Sequence, residues 1–183
     1  MLSIRPKWVE KIASGKKTIE VRKSAPKEVP FKCYIYMTQG KYKDLGLYSE
    51  DIYQNRMKVI GEFICDKVYR IEPIFSFYDC YSGYNDSSDS SYFEDYSIDN
   101  ERLKKTCLTR QELYIYGKDK TLYGWHISDL KIYDKPKPIM QFYKPCPIEW
   151  KNCPGCEFYS TNTGCCINNV DRPPQSWQYV EEV

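Results

Sequence analysis

The stretch GKKTIEVRK, residues 15–23, places a glutamate among cations within a short apolar alternation. Because successive side chains of a β-strand point to opposite faces, Ile19 and Val21 are expected to face a core. Thr18, Glu20 and Arg22 then share the other face. That polar face is either solvated surface or the floor of a site.

A helix is predicted immediately before this stretch. Pro6 suits the first turn of a helix, and Trp8, Val9 and Ile12 recur at helical spacing. Gly15 is a natural stop for a helix of about eight residues. The segment therefore predicts a helix that leads directly into the strand.

Further elements follow along the chain. Residues 33–37, 58–65 and 122–130 are rich in β-branched and aromatic residues and predict strands, the last continuing to about Tyr133. Gly61 is a candidate bulge or point of close backbone approach.

Thr109 and Glu112 have capping-box spacing, so a helix should begin there and run to about Tyr116. Prolines after residue 135 make sustained structure there unexpected. These elements predict an α+β domain whose sheet curls into a small barrel.

Length and composition favour one main domain. The chain has 183 residues, of which 42% are hydrophobic, and no apolar run approaches the roughly 20 residues of a membrane span. The first residues carry no export signal, so a cytoplasmic protein without membrane contact is expected. We place the main domain at residues 1–143 and a cysteine-rich tail, packed on the barrel, at residues 144–183.

Charge is distributed unevenly. The first 32 residues hold nine Lys or Arg against three acids, whereas residues 71–101 hold eight acids and no base. The basic segment is either a phosphate-facing surface or an ordinary solvated face. Residues 78–101, rich in serine, acid and tyrosine, predict a long acidic surface excursion.

Five of the nine cysteines fall within residues 146–166. Cys153 and Cys156 flank a Pro-Gly turn that can present two thiolates to one cation. With Cys146 and Cys165 they suggest a structural zinc site of four cysteines, and Cys166 is an equal alternative to Cys165. A redox pair, an iron–sulfur cluster and unligated thiols are the other interpretations.

The N-terminal pattern resembles ASCH domains, a branch of the PUA-like superfamily. The resemblance rests on LSIRP at residues 2–6, GKKTIEVR at residues 15–22, VIGEF at residues 59–63 and GWHI at residues 124–127. It implies a PUA-like barrel over roughly residues 1–140, with a basic cleft beside the first helix. The cleft would be lined by Lys16, Lys17, Thr18, Glu20, Arg22 and Trp8.

Three functions follow from this resemblance and from the residues. The family is mainly RNA-binding, so binding of RNA or a nucleotide-like ligand in the cleft is expected, with Lys17 and Arg22 on phosphates and Glu20 on a base edge. The alternative is a hydrolase in the same cleft, either a modified-nucleoside amidohydrolase or a ribonuclease, with Lys17 and Glu20 as catalytic residues. Lys17 and Arg22 match the amidohydrolase pattern, but Glu20 replaces its second threonine.

The third interpretation is a protein-interaction module that uses the acidic excursion at residues 78–101. His126, the only histidine, is either a packed or surface residue or an acid or base.

Overall fold

The computed structural model describes residues 1–40, 50, 54–77, 91–145 and 169–182. This part of the chain is α+β, as predicted. Its helices are α1 (Pro6–Ala13), α2 (Asn100–Thr106) and α3 (Arg110–Gly117), and Ile139–Gln141 forms a 3₁₀ turn. Its strands are β1 (Leu2–Ile4), β2 (Ile19–Arg22), β3 (Phe31–Met37), β4 (Lys58–Cys65), β5 (Val68–Ile71), β6 (Pro73–Phe77), β7 (Ser91–Tyr96), β8 (Leu122–His126), β9 (Ser128–Pro138), β10 (Phe142–Tyr143) and β11 (Glu181–Glu182).

The chain divides into two compact units. The first comprises residues 1–14, 31–64 and 128–183, and the second comprises residues 15–30 and 65–127. No described helix has both the length and the apolar character needed to cross a bilayer.

A four-stranded sheet in the order β1-β3-β4-β9 forms the first unit. Strands β1 and β3 run parallel, whereas β4 and β9 run antiparallel. A Cβ at Gly61 would lie 2.4 Å from the carbonyl oxygen of Lys131, and the β4–β9 register shifts at this point. The close backbone approach predicted at Gly61 is therefore confirmed, because only glycine fits there.

Part of the C-terminal segment packs in the first unit. Trp177 forms a β-bridge with Leu2, and the Ser3 hydroxyl donates to the Pro174 carbonyl at 2.6 Å. Val170 and Phe142 are fully buried in the same apolar cluster. Residues 169–182 therefore contribute to the core of this unit.

The second unit pairs a three-stranded sheet, in the order β2-β8-β5, with α2 and α3. Its core contains Val21, Ile71, Tyr96, Leu113 and Leu122. The predicted helix at Thr109 is confirmed, since its hydroxyl accepts from the Glu112 amide and the Glu112 carboxylate accepts from the Thr109 amide.

Four expectations from the sequence are corrected. The described strands form separate sheets and do not close a barrel. The strand predicted at residues 122–130 is interrupted at Ile127, so β8 and β9 join different sheets. Strand β9 continues to Pro138, which an edge strand tolerates because one side of its backbone needs no ladder partner. The acidic excursion contains β7, which pairs with β6, and the start of α2, while residues 78–90 lie outside the described part.

Candidate functional site

The sheet register places the side chains of β2. Strand β2 pairs with β8 so that Glu20 lies opposite Trp125 and Arg22 opposite Tyr123. Val21 points to the other face and packs in the core of the second unit. The predicted alternation is therefore confirmed, but its polar face is buried rather than solvated: Glu20 is 6% exposed and Arg22 8% exposed.

Three charged side chains meet on this buried face. Lys17 Nζ lies 3.2 Å from Glu20 Oε2, and an Arg22 terminal nitrogen lies 3.0 Å from Glu20 Oε1. We call Lys17, Glu20 and Arg22 the β2 charge cluster. Two cations share one carboxylate, so the three side chains carry a net charge of +1. Such a cluster favours an additional anion near its cations.

Lys17 also links β2 to the end of α2. Its ammonium group donates to the carbonyl of Ile19 at 2.9 Å and to that of Thr106, the last residue of α2, at 2.6 Å. Carbonyls at a helix C-terminus lack partners within the helix, and a cation there also interacts favourably with the helix dipole. Lys17 thus directs its hydrogen bonds to protein oxygens and fixes Glu20 in position.

Tyr116 of α3 connects the cluster to the surface. The Arg22 guanidinium neighbours the Tyr116 side chain, and Lys23 Nζ lies 5.0 Å from the centre of the Tyr116 ring. Burial raises the pKa of the Tyr116 phenol, while Arg22 acts in the opposite direction. Tyr116 is 36% exposed. No sequence motif indicated this residue, because only the packing of α3 brings it to β2.

The remaining predicted ligand-binding residues have different surroundings. Lys16 is exposed and Thr18 is half-buried in the second unit. Trp8 belongs to α1 in the first unit, where Lys7 Nζ and Lys11 Nζ lie 4.2 and 5.0 Å from the centre of its ring. The structure brings Lys17, Glu20 and Arg22 into direct contact. Trp8 instead lies beside Lys7 and Lys11.

The suspected zinc ligands Cys146, Cys153, Cys156 and Cys165 lie outside the described residues, and the zinc site stays a prediction. The described part of the chain contains no group of three or more His, Cys, Asp or Glu residues that could hold a metal ion. Cys33 and Cys65 are buried in it, and burial raises the pKa of Cys65 to about 11. Buried thiols of this kind act as small core residues.

Comparison with solved structures gives matches to ASCH proteins. ASCH from Zymomonas mobilis has 16% sequence identity and a TM-score of 0.46, covering 75% of this chain and 71% of that chain. A serine-to-alanine variant of the same protein has 17% identity and a TM-score of 0.44, with the same coverage. No curated protein matches the sequence.

A comparison with protein families finds a match for the N-terminal third of the chain. Residues 2–61 match the ASCH domain family. The matched segment spans β1, α1, β2 and β3 and the beginning of β4, including all three members of the β2 charge cluster. The match to the ASCH domain family therefore lies in the N-terminal part of the chain, where the LSIRP and GKKTIEVR patterns suggested it.

Proposed function

We propose that the protein binds single-stranded RNA or a nucleotide-like ligand through the β2 charge cluster and the cations beside it. The observation that carries the proposal is the pair of buried cations, Lys17 and Arg22, on the single carboxylate of Glu20. Lys17 forms an ion pair with Glu20, and Glu20 forms a second ion pair with Arg22. Arg22 is thereby oriented before any ligand arrives, which reduces the entropy that binding must overcome.

Exposed groups near the cluster suit a nucleic-acid ligand. Residues 15–30 of the second unit contain five Lys or Arg and two acids, a net charge of +3. Lys16 and Lys23 are exposed and can contact phosphates. The partly exposed ring of Tyr116 offers a surface on which an unstacked base could rest. ASCH domains are in general related to RNA binding, which supports the same class of ligand.

Fluorescence anisotropy with a labelled pool of single-stranded RNA tests this proposal. If three or four phosphates are neutralised, the logarithm of affinity should fall with the logarithm of salt concentration with a slope of roughly −2 to −3. The double variant Lys16→Ala/Lys23→Ala should bind more weakly and lower the magnitude of the slope by about 1.4, since each lost phosphate contact on a single strand contributes about 0.7. Both positions are exposed, so the variant should stay folded.

The matched control removes two exposed lysines elsewhere in the same unit, Lys104→Ala/Lys120→Ala. It should keep most of the wild-type affinity and slope. The proposal fails if the folded wild-type protein does not bind RNA at low salt. It also fails if both double variants lose affinity equally, because the contact would then be charge attraction without a site.

One distance favours a second candidate, a hydrolase in the same place. Lys17 Nζ and Glu20 Oε2 are 3.2 Å apart, within reach for a general base and a cation that steadies an oxyanion. Turnover of RNA or of N4-acylated cytidine, lost in Glu20→Gln while binding persists, would support it. If the wild-type protein shows no turnover, the hydrolase candidate is excluded and binding remains as the proposed function.

A further inference from the structure

A second group of functional side chains lies on the opposite face of the β2-β8-β5 sheet. His126 is opposite Ile19 in the register, so its side chain points away from the face that carries Glu20. Its ring nitrogen Nδ1 lies 2.7 Å from Oδ1 of Asp66, in the turn between β4 and β5. These two residues form a carboxylate–imidazole pair separate from the β2 charge cluster.

The pair fixes which nitrogen of the imidazole can accept a proton. An ionised carboxylate only accepts hydrogen bonds, so Nδ1 carries the hydrogen and the lone pair of the neutral ring is on Nε2. No hydrogen bond joins Nε2 to a described residue. The His126 side chain is 32% exposed, so part of the ring is accessible to a ligand.

Two cations lie over the ring of Tyr69, which neighbours this imidazole. The ring of Tyr69 meets His126 edge-on, with centroids 6.5 Å apart. Arg102 lies 4.8 Å and Lys67 Nζ 5.5 Å from the centre of the Tyr69 ring. Arg102 also pairs with Asp99 at 3.0 Å, whereas no described carboxylate pairs with the exposed Lys67. Lys67 therefore offers its charge to an anion such as a phosphate.

We infer that Asp66 and His126 form a general-base pair that activates the 2′-hydroxyl of an RNA strand whose phosphate is held by Lys67 and Arg102. The inference rests on the proposed function only in taking RNA as the ligand. A base beside a cation is the combination that attack of a ribose hydroxyl on the neighbouring phosphate requires. His126 is the catalytic residue, and Asp66 is a positioning residue.

The reaction is a transesterification. Nε2 of His126 takes the proton from O2′, and a bond forms between O2′ and phosphorus as the bond from phosphorus to O5′ breaks. The leaving O5′ takes a proton from water, and His126 later releases its proton to the solvent. The products are one strand ending in a 2′,3′-cyclic phosphate and one with a free 5′-hydroxyl.

The test compares a single-stranded RNA with the same sequence carrying 2′-O-methyl ribose. The wild-type protein should cleave the RNA to 2′,3′-cyclic phosphate ends and leave the methylated strand intact while binding both. His126→Ala should lower the cleavage rate by about 10²- to 10⁴-fold, with RNA binding retained. Added imidazole should restore part of the activity, which it could not do if His126 were merely structural.

Asp66→Asn should also slow cleavage, because the amide can stabilise the wrong tautomer of His126. Its matched control, Asp119→Asn, removes the same charge from an exposed position of the second unit and should cleave at the wild-type rate. RNA that is bound but not cleaved, or cleaved equally well by His126→Ala, overturns this inference and leaves the proposed binding intact. A folded protein that does not bind RNA overturns both.

Discussion

At the level of single residues, the buried charged side chains at β2 need a physical explanation. Removing a lysine ammonium from water is costly unless several oxygens replace the hydration shell. Lys17, 2% exposed, has the Glu20 carboxylate and the carbonyls of Ile19 and Thr106 around it. The adjacent Lys16 is exposed. Two neighbouring lysines thus have different roles, which follow from the direction in which each side chain points.

Replacing Lys17 by methionine should destabilise the protein by about 2 to 5 kcal/mol. The substitution keeps an apolar chain of similar length but leaves buried carbonyl groups without their donor and removes one cation from Glu20. Urea unfolding at neutral pH, followed by circular dichroism, measures the loss.

Lys16→Met is the matched control, since exposed substitutions usually change stability by no more than about 0.5 kcal/mol. Equal unfolding midpoints for the two variants would contradict the buried position assigned to the Lys17 ammonium.

Among the helices and strands, those with strong local signals agree best with expectation. Helix α1 starts at Pro6 and ends at Ala13 next to Ser14 and Gly15, and β4 covers the predicted residues 58–65. Helix α3 begins after Thr109 as its capping box predicts. The hydrogen bonds that define these boundaries are made within a few residues of the chain, so local sequence is sufficient to predict them.

Thr109→Ala should destabilise the second unit by about 1 kcal/mol. The change removes the hydroxyl that accepts from the Glu112 amide at 3.1 Å and breaks the reciprocal capping box. Urea unfolding followed by circular dichroism provides the measurement.

Gln111→Ala, at an exposed position of the same helical turn, is the control and should be close to neutral. A Thr109→Ala protein as stable as this control would show that the end of α3 is held by tertiary packing instead of its cap.

Across the whole molecule, several weak acids have their pKa raised by burial. They are Cys65 and five tyrosines: Tyr34, Tyr36, Tyr96, Tyr116 and Tyr133. For Tyr133, a hydrogen bond of 2.6 Å to Glu62 adds to the effect of burial. Each group stays protonated in the folded chain at a pH where the unfolded chain has begun to ionise.

The protein should therefore lose stability at alkaline pH. The contribution of these groups is fully present below the unfolded pKa values, about 9 for the thiol and about 10 for the phenols, and is lost as the pH rises through the higher folded values. Urea midpoints measured between pH 7 and pH 11 should fall above pH 9. Tyr133→Phe should show a shallower fall than the wild type.

Tyr114→Phe serves as the control because this tyrosine is 50% exposed, and its alkaline decline should match that of the wild type. If the decline is the same in all three proteins, Tyr133 does not contribute to the pH dependence.

The sequence by itself determined the features that depend on neighbours along the chain. These include the alternation of β2, the limits of α1 and α3, the glycine at the β4–β9 approach and the resemblance to ASCH domains over the N-terminal third. Each rests on a short-range period, a capping contact or a motif within one segment. Such signals are present before any distant part of the chain is placed.

Only the tertiary structure decided where these segments meet. The predicted strand at residues 122–130 is interrupted at Ile127, and its two parts join different sheets. The polar face of β2 is buried. Thr106 and Tyr116, from two different helices, lie close to the charged side chains of β2. The tertiary structure also paired His126 with Asp66 across 60 residues of sequence. A carboxylate and an imidazole so far apart in the chain leave no local period or spacing, because their contact exists only once the strands have formed a sheet.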